Sequence, residues 1–367
     1  MTDINNSYIA FITLLKAGLW EKHVRLSTSD KIDLDEIYRL AEEQSVVGIV
    51  AAGLEHVEGV QLPKEVVLSF AGYTLQIEQR SAAMNSFIKH LIEKMRREGI
   101  YTLLIKGQGI AQCYERPLWR SSGDVDLYLS ESNYENAKKY LSPLASSVDE
   151  ENERRKHIAY NIDEWVVELH GTLHNSLSKR INKGLDIIHQ DIFYAGEVRS
   201  WLNDGVSVFL PSANNDIIIV FTHFITHFFI GGIGLRQICD WCRLLWTYRD
   251  SINKGLLEGR LKKMGLMSEW EAFASLAVEY LDMPQEAMPY YKKTNRNSRR
   301  ASRIIRRILV TGNMGHNLDQ SYRFKYSNSQ GRVITLFRRM KEAWQLSKIF
   351  PLNAPRFFIS YIFNKVK

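Results

Sequence analysis

Asp124 and Asp126 are two carboxylates separated by one residue in an otherwise apolar stretch, and they are the first candidates for chemistry in this chain. The run from Asp124 to Leu129 predicts a strand in which Val125 and Leu127 alternate with the two aspartates. Both carboxylates then lie on one face. At a separation of about 4 Å they would repel each other by roughly 4 kcal/mol at an effective dielectric constant of 20. A fold tolerates such repulsion if one group is protonated or if a cation lies between them, and Mg²⁺ (or Mn²⁺) prefers carboxylates, water and phosphates.

A short apolar run and a glycine-containing turn precede the aspartate strand. Tyr101 to Ile105 predicts a buried strand, and the turn Lys106-Gly107-Gln108-Gly109 leads into a short helix from Ile110 to Tyr114. The sequence therefore predicts a strand, a turn and a helix that deliver the chain to the second strand.

A third carboxylate is expected beside the first two. His157 to Ile162 and Trp165 to Leu169 predict a hairpin joined by Asp163-Glu164. Its second strand can pair beside the aspartate strand, which would place Glu168 next to Asp124 and Asp126. Three clustered carboxylates are the ligand set that a two-metal site uses.

Several segments of this region, in order along the chain, resemble a known family. The segments are Lys106-Gly107, Arg120, Gly123-Asp124-Val125-Asp126-Leu127, Val166-Val167-Glu168-Leu169-His170 and Gly234-Leu235-Arg236-Gln237-Ile238-Cys239-Asp240-Trp241. They are similar to the pattern of a bacterial family of uncharacterised nucleotidyltransferases, within the superfamily built on the polymerase-beta-like core. The similarity covers about residues 90 to 250 and rests on the order of the segments, because an isolated Asp-x-Asp is a weak signal. Gln108 departs from the pattern, since many superfamily members carry Gly or Ser there to hold phosphate.

The resemblance implies a reaction in which a hydroxyl acceptor attacks the α-phosphorus of an NTP and pyrophosphate leaves. The expected metal ligands are Asp124, Asp126 and Glu168, with Mg²⁺ or Mn²⁺ as the ion. The two aspartates would hold the ion that bridges the triphosphate, and Glu168 would complete the site of a second ion that activates the hydroxyl. Glu168 is also a candidate general base.

The expected nucleotide-binding residues lie in the turn and in two basic positions. Lys106 would contact the β- or γ-phosphate, and Gly107, with Gln108 beside it, would let backbone N–H groups approach the phosphates. Arg120 would clamp a phosphate with two hydrogen bonds. Arg236 would reach the same cleft from a later helix.

Other interpretations of these residues are structural. Asp124 could cap a turn, Asp126 could pair with Arg120, and Glu168 could be an ordinary charge on an edge strand. On the same fold the protein would then be a non-catalytic module that binds a nucleotide or a partner. The acceptor, whether protein, nucleic acid, small molecule or glycan precursor, cannot be read from the sequence.

Arg236 and Asp240 lie one helical turn apart, so a local ion pair is the plain alternative to a role in the cleft. His170 would orient Glu168 or contact substrate, and Asp240 is a candidate for a similar orienting or substrate role.

Two further pairs have the spacing of metal ligands. His223 and His227 lie one turn apart on a predicted helix from Asn215 to Phe229, but no third ligand is evident. Cys239-x-x-Cys242 has no partner pair and is typical of semi-buried thiols in a helix. Structural roles are favoured for both pairs.

The composition is that of an ordinary globular protein. The chain has 367 residues, 45% of them hydrophobic, and three cysteines, which are too few for a disulfide framework and favour a reducing compartment. No apolar run reaches the roughly 18 residues of a transmembrane helix. We therefore expect a cytoplasmic protein.

The order of elements predicts an α+β fold. We expect a helical N-terminal region at residues 1–89, a small mixed-sheet nucleotidyltransferase core at residues 90–210, and an all-α C-terminal half at residues 211–367 that ends in a basic tail. A helix from Glu65 to Glu98 should deliver the chain to the first strand, and helices should follow Pro211 without further strands.

The basic surplus of the chain is a property of its C-terminal part. Residues 295–367 contain 16 basic and 2 acidic residues, whereas the rest contains 32 basic and 39 acidic ones. A helix around Arg299 to Arg307 would gather arginines on one side, and a second basic helix from Val333 to Phe350 would precede an apolar tail. A solvated face is the plain interpretation. A weak contact with an anionic membrane, or with nucleic acid, is the functional one.

Overall fold

In the computed structural model, a small mixed sheet lies in the middle of the chain, and helices precede and follow it, which confirms the predicted α+β class. The structure describes residues 6–26, 33–59, 63–315, 317 and 328–365. The helices are α1 (Asn6–Trp20), α2 (Leu34–Glu43), α3 (Val47–Glu55), α4 (Lys64–Arg97), α5 (Gly107–Ala111), α6 (Glu131–Leu141), α7 (Lys179–Phe193), α8 (Ala213–Ile230), α9 (Leu235–Thr247), α10 (Lys254–Met264), α11 (Met267–Leu281), α12 (Asn295–Thr311), α13 (Asn328–Ser347) and α14 (Asn353–Lys365). The strands are β1 (Val24–Arg25), β2 (Val57–Glu58), β3 (Leu103–Ile105), β4 (Asp124–Tyr128), β5 (Ser147–Val148), β6 (His157–Ile162), β7 (Trp165–His170), β8 (Val198–Asn203) and β9 (Val206–Pro211).

The central sheet has the strand order β3-β4-β7-β6-β5. β4 and β7 run parallel, and the other neighbours are antiparallel. In the β4–β7 register Asp126 lies opposite Glu168, and Tyr128 lies opposite His170. The predicted pairing of the Glu168 strand with the aspartate strand is therefore confirmed.

The two faces of this sheet have opposite chemistry. Val125 and Leu127 of β4 and Val167 and Leu169 of β7 are buried in a cluster with apolar residues of α4 and α6. Because successive side chains of a strand alternate between faces, Asp124, Asp126 and Glu168 point to the other side. Burial of one face thus fixes the direction of the carboxylates on the other.

The long helix α4 delivers the chain to β3 as expected. It begins directly after Pro63. Because proline has no N–H to donate to a preceding helical turn, the helix does not extend before this residue. The buried residues of α4 include Phe70, Met84, Leu91 and Met95. It ends at a Schellman motif: Gly99 has φ 70° and donates to the carbonyl of Arg96, while Ile100 donates to that of Met95.

The hairpin β8–β9 was not predicted. Its turn is Asp204-Gly205, in which both residues have positive φ, as a two-residue type I′ turn requires. Val208 and Leu210 pack in the same cluster as the central sheet, and Lys89 of α4 pairs with Asp204 at 2.5 Å. A dipeptide Asp-Gly between two alternating runs is the signal that could have revealed this hairpin.

The N-terminal helices pack against the helices of the C-terminal half. The Trp20 indole donates to the carbonyl of Leu281 at 2.5 Å, and Arg243 donates to that of Leu19 at 3.1 Å. One apolar cluster contains residues of α1 to α3 and of α8 to α12. The division of the chain at residues 89 and 210 stays a prediction.

The C-terminal part differs from the expectation at two places. α13 begins at Asn328 rather than Val333, and the predicted tail forms a helix, α14, whose Phe357 is buried against Phe229. Most of the predicted loop from Thr311 to Gly331 lies outside the described residues. Within the described part of the chain, no helix is long and apolar enough to cross a membrane.

Candidate functional site

A cavity of about 370 Å³ lies between the polar face of the sheet and the helices α5, α8 and α9. Most residues singled out in the sequence line it. They are Lys106, Gly107, Arg120, Asp124, Asp126, Glu168, His170, Arg236 and Asp240, together with His223 and His227. Gln108 is absent from this lining.

The three carboxylates converge at one end of the cavity. Asp124, Asp126 and Glu168 each offer an oxygen, and these atoms lie within 4.8 Å of one another. The neighbouring charge of Asp126, followed by burial, raises the pKa of Asp124. The fold thus keeps the three carboxylates close together despite their mutual repulsion, as the sequence implied.

Lys106 supplies the nearest positive charge. Its ammonium lies 2.5 Å from Asp126 Oδ1, and the attraction of the three carboxylates raises its pKa although burial works in the opposite direction. The Lys106 backbone has φ 59° and Gly107 has φ 42°, so the turn between β3 and α5 runs through the left-handed region at both residues.

Two histidines hold the carboxylates from the side of β6 and β7. His170 Nε2 lies 2.8 Å from Asp126 Oδ1 and 3.5 Å from Glu168 Oε2, and His157 Nε2 lies 3.0 Å from Glu168 Oε2. Burial raises the pKa of Glu168, but these two hydrogen bonds and the charge of Lys106 outweigh it, so that pKa lies well below its usual range. Burial lowers the pKa of His170, but its hydrogen bonds to Asp126 and Glu168 outweigh this effect. The pKa of His170 is therefore raised.

His157 was missed in the sequence. It begins the hairpin that was predicted correctly, and it lies directly opposite His170 in the β6–β7 register. A hairpin with a two-residue loop at Asp163-Glu164 already fixes this pairing, so the register was the available signal.

Arg120 does not pair with Asp126, the structural alternative considered from the sequence. Its guanidinium binds Asp240 of α9 through two hydrogen bonds, of 3.0 and 2.6 Å, and the Tyr114 hydroxyl donates to the same carboxylate at 2.8 Å. Arg120 and Asp240 are both buried. The pair therefore joins the loop before β4 to α9. The predicted clamping of a phosphate by Arg120 would have to compete with this bond.

The Gln108 side chain is directed away from the cavity, and the nucleotide contact expected of this residue stays a prediction. Its side chain is buried, donates to the carbonyl of Ser81 at 3.0 Å and accepts from Ser122 Oγ at 3.1 Å. Ser122 in turn accepts from Arg120 at 2.6 Å. The larger side chain at this position ties α4, α5 and the loop before β4 together.

Arg236 reaches the cavity from α9. It donates to the carbonyl of Ser121 at 2.8 Å, and no ion pair joins it to Asp240, whose charge partner among the described residues is Arg120. The local ion pair on this helix is therefore not formed. A guanidinium without a carboxylate partner at the edge of a cavity is suited to an anionic ligand.

His223 and His227 line the cavity from α8. Their ring centroids lie 4.6 Å apart. Among the described residues, the groups of three potential metal ligands are Asp124, Asp126 and Glu168, and His157, Glu168 and His170. Neither group contains a histidine of α8.

The carboxylate group suits a hard divalent cation. Three carboxylate oxygens are ligands that Mg²⁺ and Mn²⁺ accept, and both ions retain positions for water and phosphate. The residues present thus fit the ion that the resemblance implied, although Lys106 and His170 would have to share Asp126 with it.

A mixed sheet that presents three clustered carboxylates to a cleft walled by helices fits the class of transferases that act on nucleotides. The family comparison agrees. The chain belongs to the family described as uncharacterised nucleotidyltransferase, whose model matches residues 30–282. Every residue that lines the cavity lies within this match, which supports a role in nucleotidyl transfer. No curated protein and no solved structure matches the chain.

Proposed function

We propose that the protein transfers a nucleoside monophosphate from an NTP to a hydroxyl acceptor, with Mg²⁺ or Mn²⁺ bound by Asp124, Asp126 and Glu168. The observation that carries the proposal is the convergence of these three carboxylates, within 4.8 Å of one another, beside Lys106. A divalent ion there would neutralise the charge of the triphosphate and lower the pKa of a bound hydroxyl.

The remaining charged residues have roles that follow from their positions. Lys106 and Arg236 approach the carboxylate end from two sides and would bind the phosphates. His157 and His170 hold Glu168 in place, so they position a ligand. The role of Glu168 as the general base that takes the proton of the acceptor hydroxyl stays a prediction.

The same arrangement supports a place in the polymerase-beta-like superfamily. An Asp-x-Asp strand pairs in parallel with the strand of the third carboxylate, and a lysine-glycine turn and a helix precede it. Cys113, Cys239 and Cys242 are free and buried, which agrees with the reducing, cytoplasmic location that we also propose.

Replacement of one carboxylate tests the proposal. Asp126→Asn and Asp124→Asn should each weaken Mg²⁺-dependent NTP binding by roughly 100-fold or more. Loss of an outer partner of a metal ligand can already cost that much, and these variants change a ligand itself. Isothermal titration of the full-length protein with each NTP, with and without Mg²⁺, measures this effect. The exposed Asp250→Asn is the matched control and should bind like the wild type.

Transfer itself is tested with α-labelled NTPs and a cell lysate, in which the position of the label reveals the acceptor. Equal Mg²⁺-dependent binding by the wild type and both folded aspartate variants would contradict the metal site. Tight NTP binding without labelling of any acceptor would favour the rival function, a non-catalytic binding module.

A second surface supports an additional proposal, contact with an anionic phospholipid membrane. Phe337, Met340 and Trp344 of α13 are 66%, 48% and 63% exposed and follow one another at spacings of three and four residues. They therefore share one helix face, and Lys348, at 3.8 Å from the Trp344 ring centre, continues it. Exposed aromatic residues beside basic ones are typical of helices that lie in a membrane interface.

The neighbouring helix α12 adds charge to this face. Arg299, Arg303 and Arg306 are exposed and Ile304, Ile305 and Ile308 are buried, whereas Arg307, which the spacing places with the other arginines, is half-buried. Arg303 donates to the carbonyl of Lys348 at 2.6 Å, which places the arginine side of α12 against the end of α13. Each basic residue near an anionic membrane contributes about 1 kcal/mol, so the combined surface fits weak, salt-sensitive binding.

A further inference from the structure

Helix α8 contributes four uncharged polar side chains to the cavity lining, beside the apolar Ile219, Val220 and Phe224. The polar ones are Thr222, His223, Thr226 and His227. The two threonine hydroxyls donate within the helix, Thr222 to the carbonyl of Ile218 at 2.8 Å and Thr226 to that of Thr222 at 2.7 Å. The threonine oxygens can still accept a hydrogen bond, but among these side chains the imidazoles have both a donor and an acceptor left for a ligand.

The two imidazoles lie side by side and contact each other. Their ring centroids are 4.6 Å apart, with 55° between the ring planes. Neither ring forms a hydrogen bond with another residue in the described part of the chain, and both rings are half-buried, with their accessible atoms at the cavity. Two half-buried imidazoles without a hydrogen-bond partner among the described residues are unusual, because polar groups removed from solvent normally find partners.

Both rings are neutral near pH 7. Burial, followed by the charge of Lys106, holds the pKa of His223 well below its usual range and lowers that of His227 to about 4. A neutral imidazole offers one N–H donor and one acceptor nitrogen. A hydroxyl group can use both the donor and the acceptor of such a ring, whereas an oxygen of a carboxylate or phosphate can use only its N–H.

We propose that His223 and His227 form a subsite that binds two neighbouring hydroxyl groups of a diol. Adjacent rings one helical turn apart present their donors and acceptors to groups that are themselves close together. Two sources have this chemistry, the ribose of the nucleotide and a polyol or sugar acceptor. The inference rests on the proposed function, because it assigns the second half of the same cavity.

The test compares diol and diol-free ligands on the full-length protein. His223→Leu/His227→Leu removes the hydrogen-bonding groups, His223→Asn/His227→Asn keeps a donor and an acceptor at each position, and His90→Leu, on the exposed side of α4, is the control. The probes are the NTP that the wild type binds best, its 2′,3′-dideoxy form, ribitol and myo-inositol. Calorimetry with Mg²⁺ measures the nucleotides, and saturation-transfer NMR measures the polyols.

The double leucine variant should bind the diol about tenfold or more weakly, and the double asparagine variant should recover part of the loss. A loss for the NTP but not for its dideoxy form assigns the subsite to the ribose. A loss for ribitol or myo-inositol alone assigns it to the acceptor.

Unchanged binding of every probe by the double leucine variant would overturn the diol subsite, as would a wild type that binds none of the diols. The proposed function fails by a different result. If Asp126→Asn binds Mg²⁺ and NTP like the wild type, the carboxylate site is wrong whatever the histidine variants do.

Discussion

Lys106 has a positive φ, a backbone conformation that few residues other than glycine adopt. We attribute this conformation to the position that its ammonium must reach. With φ 59° at Lys106 and 42° at Gly107, the chain reverses sharply between β3 and α5. This conformation costs about 1–3 kcal/mol. It lets the lysine follow β3 and still return its charge to Asp126, 2.5 Å away on the neighbouring strand. Strained residues of this kind concentrate at functional sites.

The pair of Arg120 and Asp240 is the interaction on which we expect the shape of the cleft to depend most. Asp240→Asn should lower the free energy of unfolding by about 3–5 kcal/mol, because a buried guanidinium loses its charge partner. Denaturant unfolding of the full-length protein measures this loss. Glu258→Gln breaks an exposed pair with Lys262 and should cost less than about 1 kcal/mol.

A loss below about 1 kcal/mol for Asp240→Asn would contradict a structural role of the pair. The double variant Arg120→Met/Asp240→Leu separates the structural role of Arg120 from a role in binding, because an apolar replacement of both partners can restore stability. If its stability recovers while NTP affinity falls, Arg120 also contacts the phosphates as the sequence predicted.

At this scale the sequence predicted the carboxylates better than their partners. Asp124, Asp126 and Glu168 lie on strands, and the two-residue period alone puts them on one face. The partner of Arg120 lies 120 positions further along the chain, and that of Gln108 lies on α4. No local spacing encodes such distant contacts, so the sequence did not reveal them, and the nucleotide contacts expected of Arg120 and Gln108 stay predictions.

Among the secondary-structure elements, those with clear local signals in the sequence were predicted well. The β6–β7 hairpin lies where alternation and its turn put it. α14 was predicted as a tail because Pro351 and Pro355 suggested an end. Pro355 instead lies in the first turn of that helix, where its missing N–H costs nothing.

Glu269 makes the stability of α11 depend on pH. It is 1% exposed, its carboxylate accepts from Asn353 at 2.9 Å, and burial raises its pKa from 4.5 to about 7, while the charge of Arg300 works against that shift. The folded state therefore binds the proton more tightly than the unfolded state. Its contribution is complete below pH 4.5 and is lost as the pH rises through 7.

Glu269→Gln should remove this pH dependence. Relative to the wild type, the variant should gain up to about 3 kcal/mol at pH 8 and little at pH 5. Denaturant unfolding at pH 5, 6, 7 and 8 measures the difference, with the exposed Glu286→Gln as control. Parallel curves for Glu269→Gln and the wild type would show that Glu269 does not titrate in this range.

On the scale of the whole molecule, helices near both ends of the described chain pack against the helices between them. Trp20 of α1 bonds to the end of α11, and Phe357 of α14 packs against Phe229 of α8, the helix that carries His223 and His227. The family match ends at residue 282, so α12 to α14 lie outside it. Phe350 and Phe357 pack against Phe228 and Phe229 of α8, whereas Phe337, Met340 and Trp344 of α13 are exposed to solvent.

Binding of that face to anionic membranes is tested with point variants. Removal of the chain after residue 328 would also remove the buried Leu346, Phe350 and Phe357, so loss of binding by a truncation would not be informative. Phe337→Ser/Trp344→Ser changes only exposed side chains. Leu68→Ser/Leu202→Ser, on α4 and β8, removes two equally exposed apolar residues elsewhere and is the matched control.

The wild type and the control should sediment with vesicles that contain phosphatidylserine at low salt, and less so at high salt, because screening weakens the attraction of the arginines. Neither should sediment with phosphatidylcholine alone. The serine variant should stay in the supernatant, since charge without inserted aromatic residues gives only weak binding. If the wild type remains in the supernatant at low salt but shifts the anisotropy of a labelled single-stranded RNA, the basic face of α12 binds nucleic acid instead, and the exposed Phe337 and Trp344 would then stack on bases rather than enter lipid.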